Sequence, residues 1–142
     1  MHATMVGRPI LHPVHAILLA FPVALFPSAF IADIAYLNTA EIQWSNFAAW
    51  AITGAMLFGA AVFIWEIVSL FWGRARHARK PALVLSALLA VMLVAGLINA
   101  LQHSRDAWSS VGATGLILSL LCTLLALAAG WIAYSGPREI VQ

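Results

Sequence analysis

Four long runs of uncharged, mostly apolar residues divide the chain: Pro9 to Ala32, Ile42 to Trp65, Pro81 to Ser104 and Ala107 to Pro137, of 24, 24, 24 and 31 residues. About 20 apolar residues cross the hydrocarbon core of a bilayer as a helix, so each run can span once. None alternates apolar and polar positions as a barrel strand would, and a lipid-exposed segment must satisfy its own backbone hydrogen bonds. The pattern predicts four transmembrane α-helices over about 11–37, 45–72, 81–102 and 110–134, packed as an all-α membrane four-helix bundle. Nearly every residue is used in spanning, so residues 1–142 read as a single transmembrane domain. The first run is longer than a signal-peptide core and follows Met1, which argues that it is retained as a span.

Within the runs, particular residues shape the expected helices. Pro13 stands in the first turn of the first helix, where the missing N–H costs nothing, whereas Pro22 and Pro27 stand well inside it. Each of these removes a backbone hydrogen bond, so kinks at Pro22 and Pro27 are expected, with Ser28 or a neighbouring helix satisfying the freed carbonyls. Ala51, Ala55 and Gly59 recur every four residues on the second helix, and Gly115, Ser119 and Thr123 do so on the fourth. Such stripes let another backbone approach closely. Spacing leaves open whether that backbone belongs to this chain or to another subunit.

Composition agrees with the pattern: 63% of residues are hydrophobic and 8% charged, where a soluble domain carries roughly a quarter charged. Charge placement adds an orientation. Arg8, Arg74, Arg76, Arg79, Lys80 and Arg138 fall at the N-terminus, in the second loop and at the C-terminus, with Arg105 alone on the other side. By the positive-inside rule both termini and the second loop are cytoplasmic, with Glu41 and Asp106 outside. Trp44 and Trp108 then mark the outer interface, and Trp72 and Trp131 the inner one. The single cysteine, Cys122, lies within the fourth span and reads as a small packing residue.

Ionisable side chains inside a span are functional candidates because they are costly to bury. His12 and His15 share one face of the first helix, and Glu66 and His77 return to the same side of the membrane. His12 or His15 with His77 could ligate a b-type haem between helices, and His12, His15, Glu66 and His77 together could hold a transition metal. The simpler arrangement, interfacial histidines bonded to backbone or to Glu66, takes precedence. Asp33, near the outer end of the first helix and a turn from Tyr36, is expected to snorkel to the surface rather than bind a cation or carry protons. His103 and Arg105 form a third place, at the outer end of the third helix and out of reach of His15.

No phosphate-binding glycine loop, CxxCH haem attachment or serine-centred elbow is present. The cytoplasmic basic residues are those that topology requires, so they give no support for nucleic-acid binding. The run Gly7-Arg8-Pro9-Ile10-Leu11-His12-Pro13, followed by His15, Phe21-Pro22 and Asp33, resembles the opening of the bacterial membrane family called domain of unknown function 2231. Trp50, Gly54 and the Gly130-Trp131 pair extend the resemblance more loosely. The resemblance implies a four-helix membrane protein, sometimes associated with redox systems, whose activity is not established. The expectation is a non-catalytic accessory or structural subunit, packed through its small-residue faces against a larger membrane complex, plausibly energy-transducing, or against a second copy of itself. The alternative is a haem-binding electron carrier.

Overall fold

A computed structural model describes residues 11–72, 79–104 and 111–135. They form four helices: α1 (Pro13–Thr39), α2 (Ile42–Trp72), α3 (Arg79–His103) and α4 (Ala113–Tyr134). All four are long and apolar enough to cross a membrane. Each helix packs against its two neighbours in a closed square, α1–α2–α3–α4 and back to α1. The lower end of the bundle is taken as the end where α1 and α3 begin, and the upper end as that where they finish.

The helix bounds differ most from expectation at the first connection. α2 starts at Ile42 rather than near 45, which leaves a link of only Ala40 and Glu41. Such a tight reversal needs one left-handed residue, and Ala40 supplies it at φ 55°, donating its N–H to the Tyr36 carbonyl at 2.7 Å. Thr39 completes the cap: its hydroxyl donates to the Ala35 carbonyl at 2.8 Å and accepts from the Glu41 N–H at 3.3 Å. α1 runs unbroken through Pro22 and Pro27. The Ser28 hydroxyl donates to the Ala24 carbonyl at 2.8 Å, not to the Leu18 or Val23 carbonyls that the two prolines leave without an i+4 partner.

The core is apolar and finely divided. Leu19, Phe26, Ile52, Val62, Leu89, Met92 and Cys122 fill the axis, between buried alanines such as Ala29, Ala48, Ala55, Ala126 and Ala129. Cys122 is indeed a packing residue, fully buried and unpaired. Glycine lets backbones close where side chains reach furthest. A Cβ on Gly96 would lie 2.3 Å from Met56 Sδ and 3.2 Å from Phe26 Cζ, and one on Gly130 2.9 Å from Val23 Cγ2. The outer surface is as apolar as the core: Trp50, Trp72, Trp131, Leu57, Ile64 and Val94 are all largely exposed. So much exposed apolar area has no place in water, and lipid covers it.

The small-residue stripes face the other way. Ala51, Ala55 and Gly59, and likewise Gly115, Ser119 and Thr123, are all buried within the chain. Their close approaches are to this protein's own helices, as at Gly59, where a Cβ would meet Met92 Cε at 3.0 Å. The surface through which an accessory subunit was expected to dock is therefore already occupied.

Candidate functional site

In each half of the bundle a carboxylate and an imidazole meet in the interior, and the two pairs differ in how fully their neighbours satisfy them. In the upper half Asp33 is fully buried. Its Oδ1 lies 2.8 Å from His103 Nε2 on α3, diagonally across the square, and its Oδ2 accepts from the Ser119 hydroxyl on α4. Ser119 Oγ accepts in turn from Asn99 Nδ2 at 2.9 Å, and His103 Nδ1 lies 2.9 Å from the Asn99 carbonyl. The chain of bonds leaves the Asn99 side chain and returns to the Asn99 backbone. Asp33 does not snorkel to the surface as expected: α3 and α4 offer it partners, and closing the ring satisfies it where it stands.

The ring also fixes its own proton count. A carbonyl only accepts, so His103 Nδ1 must carry a hydrogen. Between Nε2 and Oδ1 there is then one further proton, held either by the imidazole or by the carboxyl group. Both arrangements leave the pair neutral overall, the state least costly to bury. Thr123, one turn beyond Ser119, donates to the Ser119 carbonyl at 2.8 Å. Among the described residues, Asn99 Oδ1 is the one atom of this ring left without a partner.

The lower pair is built differently. His15 on α1 is buried, and its Nε2 lies 2.7 Å from Oε1 of Glu66 on α2, itself only 9% exposed. The two atoms are close without the geometry of a hydrogen bond. Among the described residues neither ring nitrogen of His15 has a hydrogen-bond partner. Trp65 covers the pair: its ring meets His15 edge-on at 5.9 Å and His12 at 5.2 Å. The neighbouring Phe21 and Phe58 stack at 3.9 Å and hold α1 against α2, while Tyr134 ties α4 to α1 by donating to the Ala16 carbonyl at 2.8 Å.

Of the residues expected to bind haem or metal, His12 caps α1. Its Nδ1 accepts from the Val14 N–H at 3.3 Å, which spends that lone pair on the helix start. His15 and Glu66 come together. His77, the other proposed haem ligand, lies outside the described residues, as do Arg105, Asp106 and Trp108. Among the described residues no three of His, Cys, Asp and Glu are grouped to hold a metal ion.

Asp33 and His103 read as separate places in the sequence, and α1 and α3 bring them together across a separation of 70 positions. A signal was available. Asn99 with His103, and Ser119 with Thr123, are i,i+4 polar pairs in otherwise apolar helices. Each pair must face one direction, and lipid is not an option for them.

A square of four spanning helices with ionisable groups turned inward and apolar groups outward defines an integral, multi-pass membrane protein. The family model described as "Predicted membrane protein (DUF2231)" matches residues 11–134, and the chain belongs to that family. No curated protein and no solved structure matches it.

Proposed function

We propose that the protein is a non-catalytic subunit of a bacterial inner-membrane system, with both termini in the cytoplasm, that takes up and releases a proton at the Glu66–His15 pair. The carrying observation is the contrast between the two buried pairs. A network whose carboxylate oxygens and imidazole nitrogens are all matched, as those of Asp33 and His103 are, has little to gain from a change of protonation and acts as structure. A buried pair with unmatched ring nitrogens has capacity to spare, and such groups call for an explanation in function. Asp33–His103 is therefore a clasp between α1, α3 and α4, and Glu66–His15 is the working site. The basic residues beside the lower end support the cytoplasmic assignment.

Pairs at opposite ends do not make a proton wire. From His15 to Asp33 is 18 residues of α1, or about 27 Å at 1.5 Å per residue, and the space between is filled by Leu19, Phe26, Ile52, Val62 and Met92. Exchange at Glu66 is thus with the lower side alone. Any partner subunit meets the lipid-facing surface, since the small-residue faces are used internally.

Infrared difference spectra between acid and neutral pH, on the protein in lipid vesicles, test the reading. A titrating carboxyl C=O band is expected in the wild type and in Asp33→Asn, and its loss is expected in Glu66→Gln. A band that survives Glu66→Gln would overturn the assignment.

A further inference from the structure

Among the described residues, one more polar atom in the lower half besides the His15 nitrogens is buried without a partner: Ser86 Oγ on α3. A helical serine or threonine ordinarily donates to a carbonyl one turn back, as Ser28, Thr53 and Thr123 do here. Ser86 does not, although the residue is only 6% exposed. Its hydroxyl oxygen is buried.

Packing higher in the bundle sets its depth. A Cβ on Gly59 would lie 3.0 Å from Met92 Cε and 4.0 Å from Pro22 Cβ, so α1, α2 and α3 are in register at these three residues. Toward the lower end, His15 is seven residues from Pro22, Glu66 seven from Gly59, and Ser86 six from Met92. At 1.5 Å per residue these are descents of about 9 to 11 Å. Three helices thus bring an imidazole, a carboxylate and a hydroxyl to one layer. Three of the four unpartnered buried polar atoms among the described residues belong to it: His15 Nδ1, His15 Nε2 and Ser86 Oγ.

We propose that this layer is a hydration site: Glu66, His15 and Ser86 bind internal water, and the proton taken up at the lower end is held on that water–carboxylate–imidazole cluster. This rests on the reading of Glu66 as the exchanging group and supplies its missing partners. A buried water needs two to four polar partners, and a carboxylate, an imidazole nitrogen and a hydroxyl are such a set. Among the described residues the layer offers one buried imidazole, one carboxylate and one hydroxyl, a set that suits water. In the transfer itself one proton arrives from the aqueous phase and one is bound, with no other bond changed. The titratable groups at this end from every packed helix are His12 and His15 from α1, Glu66 from α2, Lys80 from α3 and Tyr134 from α4, among the described residues. Only His15 and Glu66 of these are buried.

The test uses the same infrared difference spectra, now in the O–H stretching region and compared between ordinary water and oxygen-18 water. A band that moves with the oxygen isotope is expected in the wild type, is lost in Ser86→Ala and is kept in Ser86→Thr, which retains a hydroxyl. Absence of an isotope-sensitive band, or a band indifferent to Ser86→Ala, overturns the hydration site. Either result leaves the Glu66 carboxyl band to be read separately, so failure here is distinct from failure of the exchange assignment.

Discussion

Replacing Asp33 by asparagine and by leucine separates hydrogen bonding from charge in the upper ring. Asparagine is nearly isosteric. Its amide N–H can donate to His103 Nε2 and its carbonyl can accept from Ser119, so every bond of the ring survives without the shared proton. Leucine keeps the volume but removes both contacts, the 2.8 Å bond to His103 and the bond from Ser119. Interhelical hydrogen bonds in membranes contribute about 0.6 kcal/mol on average and up to about 1.7, so two of them amount to about 1–3 kcal/mol. The loss should fall near the top of that range, because Ser119 and His103 stay buried with their polar atoms unmatched. Reversible unfolding in mixed detergent micelles measures this. Asp33→Asn is expected within about 1 kcal/mol of the wild type and Asp33→Leu well below it. Equal damage from both would show that the carboxyl proton, not the closed ring, matters at this site.

Other outcomes follow from the packing and the termini. Gly96→Ala should cost about 1–3 kcal/mol, since its Cβ would fall 2.3 Å from Met56 Sδ. In a double-mutant cycle with Met56→Ala the two changes should couple by about 0.5 kcal/mol or more. Ala40→Gly should raise stability by up to about 1 kcal/mol, because the αL conformation at φ 55° strains any residue with a Cβ; a decrease would refute the cap. In a Cys122→Ser background, cysteine at position 77 should react with a membrane-impermeant maleimide only from the cytoplasm, and at positions 41 and 106 only from outside. Reaction at 77 from outside would reverse the orientation.

The four spans were legible because a bilayer imposes a length and a charge rule that a single sequence displays directly. Inward placement of polar residues was partly legible, as the i,i+4 pairs Asn99/His103 and Ser119/Thr123 show. Who meets whom was not. Asp33 finds His103 and Ser119 across 70 and 86 residues, and periodicity says nothing of rotation between helices. The stripes Ala51/Ala55/Gly59 and Gly115/Ser119/Thr123 declared close approach but not whose backbone approaches. Ser86 was invisible for a further reason: hydroxyls are common in membrane helices, and only the absence of the usual backbone bond marks this one.

The central claim is that one buried carboxyl group exchanges protons and the other is locked, and a hydrophobic carbodiimide reads this directly. Such reagents enter lipid and add to a carboxyl group in its protonated form, leaving a stable acyl urea that peptide mass spectrometry locates. In vesicles Glu66 should be modified, with a rate that falls as pH rises. Asp33, enclosed by His103 and Ser119, should stay unmodified. Modification of Asp33 with Glu66 untouched would contradict the account.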